Sequence, residues 1–189
     1  ALPETSKSSY PGALTTLASD WDDISAAVAY IRKLRSVERI ALFGWSLGGP
    51  RAGGWAAQHA GEISKLVLLS PAYNRTAPVE APSRPVGGAV VNTQSRAEFF
   101  VNWDRQAPSP DQYDPQAAQA VWSEMLLSDP VGASWEPGVR RAPQVTTWGW
   151  GPALAKKLTM PVLLVAPIHD VQVVPDRVRE LHADLGRSE

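Results

Sequence analysis

The 189 residues predict an α/β fold, a parallel sheet flanked by helices. Three observations carry that prediction. Apolar runs at 39–43 (RIALF), 65–70 (KLVLLS) and 160–167 (MPVLLVAP) lack polar alternation, the pattern of strands covered on both faces. A helical pattern with short joints connects the first two, and strand, helix, strand in that order makes the strands parallel. Between the first strand and its helix, glycines at 44, 48 and 49 surround a lone serine, Ser46.

In chain order, residues 1–18 are rich in Ser, Thr, Pro and Gly, show neither helical nor strand period, and read as a loop. Ser19 opens a helix: Ser19-x-x-Asp22 is a variant capping box, and Asp20, Asp22 and Asp23 crowd the positive end of the dipole. Trp21, Ile24, Val28, Ile31 and Leu34 recur at spacings of three and four, so they share a buried face; Arg32, Lys33 and Arg35 close the helix. After the first strand a helix spans 47–60, ended by Gly61, and the second strand comes next. From Pro71 to Thr159 prolines and tryptophans are scattered, and one helix stands out, Pro115 to Leu127, with Ala118, Val121, Trp122, Met125 and Leu126 on one face. Residues 138–152 look irregular. So long a stretch between core strands reads as an inserted subdomain. The third strand leads into the loop IHDVQV and a last helix with Pro175 near its first position and Val178, Leu181 and Leu185 inward. The resulting division is core at 1–73, insertion at 74–159 and core again at 160–189.

Composition narrows the partners. A formal charge of -1 argues against nucleic acid, whose binders carry basic faces. The apolar runs are too short to span a bilayer. Zero cysteines exclude disulfides, a thiol nucleophile and thiolate metal sites within these residues. Neither metal nor cofactor is implied, and nothing fixes a cellular compartment or oligomeric state.

Gly44-Trp45-Ser46-Leu47-Gly48 fits G-x-S-x-G. Three fixed positions would match by chance in roughly one chain of this length in twelve, so the strand-turn-helix setting carries the assignment. A nucleophile presented at the top of a sheet needs a sharp, strained turn. Gly44 and Gly48 would leave room for it, while Gly49, Gly53 and Gly54 would let the helix approach the sheet. The helix would aim its first amides where an oxyanion forms. The plainer alternative is a glycine-rich turn with an idle serine.

With those residues stated, RIALFGWSLGGPRAGGWAAQHAGEISKLVLLSPAY resembles the nucleophile strand, elbow, helix and next strand of the α/β-hydrolase superfamily. PVLLVAPIHDVQVVPDRV resembles its later strand and acid loop. The resemblance implies a partial α/β-hydrolase fold with an inserted, mainly helical cap. It also implies a Ser, Asp, His triad in that chain order: Ser46 attacks a carbonyl, Asp170 orients the histidine, and the Leu47 N–H donates to the oxyanion. The implied activity is cleavage of a small-molecule ester or related acyl substrate through an acyl-serine, without a cofactor. Serine at the elbow argues against the dehalogenase and epoxide hydrolase branches, which use aspartate there. Asp170 as a solvated loop acid, and the whole chain as a binding or scaffold protein on the same fold, stay open as alternatives.

The base is the gap. His59 ends the elbow helix, His182 sits on the last helix, and His169 adjoins Asp170, so it cannot easily bond that carboxylate and face Ser46 at once. The family places its histidine after a further strand, which would lie beyond Glu189, and residues 1–18 hold none of its early strands. The expectation is therefore the middle of a longer hydrolase, nearly inactive in isolation. Trp45, beside the serine, and some of Trp103, Trp122, Trp135, Trp148 and Trp150 are candidates to line an acyl or alcohol pocket; the alternative for the insertion's tryptophans is a subdomain core.

Overall fold

The computed structural model describes residues 17–76, 91–107, 109–134, 138–141 and 150–186. The elements are α1 (Leu17–Arg35), β1 (Ile40–Trp45), α2 (Gly48–Gln58), β2 (Ile63–Leu69), β3 (Asn92–Ser95), α3 (Arg96–Gln106), α4 (Pro115–Ser128), α5 (Pro130–Ala133), β4 (Gly138–Arg141), α6 (Pro152–Ala155), β5 (Val162–Val165) and α7 (Pro175–Asp184). They divide between two compact units, the larger holding α1 to β2 with α6 to α7, the smaller β3 to β4. The expected loop at 1–18 lies, up to residue 16, outside the described residues, as do 142–149 of the stretch expected to be irregular.

The larger unit is a three-stranded parallel sheet in the order β1-β2-β5, the α/β architecture the apolar runs predict. Leu42 pairs with Leu66 and Leu66 with Val162; Gly44 pairs with Leu68 and Leu68 with Leu164. These rows form one sheet face, with Leu66 and Leu68 wholly buried. That face packs in one hydrophobic cluster with Val28 of α1, Trp55 of α2, Leu181 of α7 and Trp150. Leu154, Ala155, Leu158 and Met160 join the same cluster, although the sequence boundary at 159 groups most of them with the insertion.

Two expectations about burial need correction. The strands are not covered on both faces among the described residues. β1 and β5 alternate along their length, and Phe43, Trp45 and Leu163 on the second face are 60%, 66% and 58% exposed. Apolar composition on both faces thus marks a strand able to be covered twice, while the described helices cover one side. Nor is α1 buried along its whole apolar stripe. It begins at Leu17, not Ser19, because Leu17 extends the inward row two residues upstream, and Ile31 and Leu34 beyond Val28 are exposed. Its 19 residues run about 28 Å at 1.5 Å each, against about 16 Å for the 11 residues of α2 that it packs on, so its last turns outrun the partner.

In the smaller unit β3 and β4 are antiparallel, and Phe99, Trp122 and Val139 form its core. α3 and β4 are among the elements here that the sequence patterns do not mark. α3 starts with a full capping box, Ser95 and Glu98 bonding each other's backbone N–H, a signature visible as S-x-x-E. β4 occupies residues expected to be irregular. Asp129 pins the unit: it accepts from the Gly132 N–H, the Arg140 N–H and the Arg140 side chain. No described helix is long and apolar enough to cross a membrane.

Candidate functional site

The site begins with the end of β1. Ser46 has φ +53°, left-handed for a residue with a side chain, at a cost of roughly 1–2 kcal/mol. Three backbone hydrogen bonds hold it there. Its N–H donates to Leu69 O at 2.9 Å, and its carbonyl accepts from the N–H of Gly49 at 2.9 Å and of Ala72 at 3.0 Å. The turn is therefore clamped from α2, from β2 and from the loop after β2.

The glycines divide into roles the spacing could not assign. A Cβ on Gly44 would meet Gly48 O at 2.6 Å and Ala52 Cβ at 2.9 Å, so the strand and helix can cross only without it. Among the described residues a Cβ on Gly48 would meet nothing within 4 Å, which corrects the expectation that this glycine opens the turn. At Gly49 a Cβ would meet Pro71 at 2.6 Å, at Gly53 the Trp150 ring at 2.5 Å and at Gly54 the Trp21 ring at 2.6 Å. The helical glycines thus admit a proline and two indoles, rather than the sheet itself. Leu47 is the N-cap of α2, and among the described residues its N–H has no acceptor. Arg51 steadies this turn, donating to Leu47 O at 2.9 Å while pairing with Asp20 of α1 at 2.6 Å.

The second half of the site comes after β5. Asp170 N–H donates to Pro167 O, and Asp170 Oδ1 accepts from the N–H of Gln172 and of Val173, both at 2.9 Å. Burial acts to raise its pKa, but bonds from the Val173 N–H, the Ser70 hydroxyl and the Gln172 N–H outweigh it and hold the carboxyl below the ordinary aspartate value. Asp170 is thus held as a carboxylate.

The sheet order sets the relation of the two halves. Trp45 pairs with Leu69 and Leu69 with Val165, so Ser46, Ser70 and the loop bearing Asp170 all leave parallel strands at one rim, with β2 between the outer two. Two strand spacings are roughly 10 Å. Ser70 is the residue sequence reasoning missed. It is 4% exposed and has φ +43°; the available signal was a serine closing KLVLLS one position past the register partner of Trp45.

The remaining candidates lie elsewhere. Trp45 points to the uncovered sheet face, in one row with Leu69 and Val165. His59 stacks on Trp55 at 4.2 Å beyond the far end of α2. His182 borders a 290 Å³ groove with Leu164, Ile168, Val178 and Arg179. Among the described residues no hydrogen bond joins a histidine to Ser46 or Asp170, and no three His, Cys, Asp or Glu gather as a metal site needs. Trp122 is core of the smaller unit and Trp150 core of the larger; Trp135 and Trp148 lie outside the described residues.

Among known protein families, a model described as alpha/beta hydrolase fold matches residues 4–150. No curated protein matches. Among solved structures, a monoacylglycerol lipase from Paleococcus ferrophilus is similar at 18% identity and TM-score 0.51, covering 92% of this chain and 62% of that one. The naproxen esterase (carboxylesterase NP) from Bacillus subtilis is similar at 15% and 0.56, covering 94% and 57%. Est816, described as an N-acyl homoserine lactone degrading enzyme, is similar at 16% and 0.52, covering 95% and 66%. The chain spans about three fifths of the length of these structures, and the likeness is one of fold.

Proposed function

We propose, from the premise that this chain belongs to the α/β-hydrolase fold family, that it carries the nucleophile and acid of a serine hydrolase acting on an ester or related acyl substrate. One observation carries the reading: a strained, triply clamped serine and a hydrogen-bonded carboxylate leave the same sheet rim with a single strand between them. That gap suits one imidazole, bonded to a hydroxyl at one nitrogen and to a carboxylate at the other.

In this mechanism Ser46 Oγ attacks the substrate carbonyl as the imidazole accepts its proton. The charge that develops on the carbonyl oxygen is met by the Leu47 N–H at the positive end of α2. The alcohol leaves with the proton, and water, deprotonated by the same imidazole, releases the acid and restores Ser46. The imidazole is proposed to come from a segment after Glu189 in a longer protein, since none of the three histidines bonds to either group. The insertion between β2 and β5 is read as the cap that selects substrate. An ester-like substrate also agrees with the lipase, esterase and lactone-degrading names of the similar structures.

A fluorophosphonate probe tests this. The full-length protein is expected to be phosphonylated on Ser46, located by peptide mass, and Ser46→Ala to remain unlabelled. The absent histidine favours one competitor, a binding protein on this fold, and a full-length protein that stays unlabelled would select it. Trp45→Ala is expected to raise KM for a bulky acyl ester if Trp45 borders the substrate.

A further inference from the structure

Two of the three bonds that hold the Ser46 bend come from regular elements, Leu69 O of β2 and the Gly49 N–H of α2; the third comes from Ala72, whose N–H donates to Ser46 O at 3.0 Å. Ala72 lies in a described stretch, residues 71–76, that belongs to no helix or strand. Such a segment has no ladder of its own to keep an N–H aimed. Its neighbours supply the hold. Pro71 is wholly buried against Gly49, where an added Cβ would fall 2.6 Å from it. Tyr73 is 4% exposed, meets Trp150 edge-on at 5.4 Å, and donates from its hydroxyl to Asp184 Oδ2 at 2.8 Å. Arg75 reaches the same carboxylate twice, Nε to Oδ2 at 2.8 Å and Nη2 to Oδ1 at 3.1 Å.

Asp184 is the last residue of α7, where the helix dipole disfavours a carboxylate, so α7 itself gives no reason for an acid there. Its partners lie 111 and 109 positions away in the chain. We infer that Asp184 is a positioning residue for Ser46: by gathering Tyr73 and Arg75 onto one carboxylate it fixes the segment after β2, and through the Ala72 N–H it keeps the nucleophile's backbone in its left-handed bend. The inference rests on the reading of Ser46 as the nucleophile. The path is short, since Tyr73 follows Ala72 directly. α7 is also the helix that follows the Asp170 loop, so one brace ties the acid-bearing stretch to the nucleophile's turn. Releasing it lets Ser46 relax from a strained conformation that persists only while its surroundings over-determine it. The hydroxyl then leaves its place at the rim, while the surfaces that would bind substrate are untouched.

Two variants release the brace by different routes. Asp184→Ala removes the acceptor of both side chains, while Tyr73→Phe removes one hydroxyl, keeps the buried ring and is the less prone to misfold. Both measurements use the full-length protein. In the first, hydrogen exchange of the Ala72 amide is compared with that of Leu66, whose N–H donates to Pro161 O at 3.0 Å. Ala72 is expected to exchange about tenfold faster relative to Leu66 in each variant, the scale of one hydrogen bond to a charged group. A ratio unchanged in Tyr73→Phe overturns the inference, because the brace then serves stability in general and does not reach the bend. The second is the rate of fluorophosphonate labelling of Ser46 as a function of probe concentration. The maximal rate is expected to fall about tenfold in each variant, with the half-saturating concentration unchanged. A native maximal rate in Tyr73→Phe, or a loss confined to the half-saturating concentration, also overturns it. Failure of the hydrolase reading looks different: the native protein would not label at any concentration, although Ala72 would still exchange faster in both variants, and the inference would fall with its nucleophile.

Discussion

Adding one methyl group at Gly44 and, separately, at Gly48 gives opposite results in this structure. At Gly44 the new Cβ falls 2.6 Å from Gly48 O and 2.9 Å from Ala52 Cβ, against about 3.4 Å for the near limit of ordinary contact. The obstructions are a helix backbone and a side chain with no rotamer to move, so the overlap must be relieved by displacing α2 from β1. Overpacking of a tight core costs typically about 1–3 kcal/mol, and the upper end applies because neither neighbour can yield; Gly44→Ala is expected to lose about 3 kcal/mol. Gly48 is the first residue of α2, and its Cβ would meet nothing within 4 Å among the described residues. There the helix preference of alanine dominates, and Gly48→Ala is expected to be neutral or to gain up to about 1 kcal/mol. Urea unfolding followed by tryptophan fluorescence measures both, with equal slopes confirming that only stability changed. A Gly48→Ala variant less stable than Gly44→Ala would refute the account of how strand and helix cross.

Relief of the strain at Ser46 is measurable in the same way: Ser46→Gly is expected to raise stability by about 1 kcal/mol, since glycine accepts φ +53° freely, while abolishing fluorophosphonate labelling. Trp55 is wholly buried and donates to Ser25 Oγ at 2.8 Å, so Trp55→Ala is expected to cost about 3–5 kcal/mol and to show as a large fall in the urea midpoint. In the smaller unit the Arg140 guanidinium, outweighing burial and aided by the Arg140 and Gly132 N–H groups, lowers Asp129 to about 2 from 3.8. Because the folded value is depressed, its stabilisation is present above the unfolded value near 3.8 and is lost as pH falls through about 2. Far-ultraviolet dichroism between pH 5 and about pH 2 is expected to show an acid transition that Asp129→Asn flattens.

Local patterns dictated the parallel core. RIALF, KLVLLS and PVLLV have one way to be buried, and each lies within a strand or within two residues of its ends. The elbow was legible too, because a serine between strand and helix flanked by glycine is a local statement about chain direction. The hidden features depend on partners distant in sequence. Nothing near Gly53 announces that Trp150 fills its space, and nothing near Gly48 announces that no described residue fills its own. Ser70 was unremarkable until the ladder set it beside Ser46. The start of α3 is a different case: Ser95-x-x-Glu98 is a local signature, but the helix it opens, Arg96–Gln106, carries only a weak apolar periodicity.

The pairing of β2 with both neighbours also orders the events of synthesis. Leu42 and Leu66 are 24 positions apart, whereas Leu66 and Val162 are 96 apart. The second closure is two doublings longer, roughly 1.2 kcal/mol of added chain entropy at about 0.6 kcal/mol per doubling. On a ribosome the β1-α2-β2 half can therefore assemble while β5 is still unmade, leaving one flank of β2 bare. For the time it takes to translate nearly a hundred residues that flank can recruit a stranger's strand, which makes this interval the nascent protein's point of greatest exposure to aggregation.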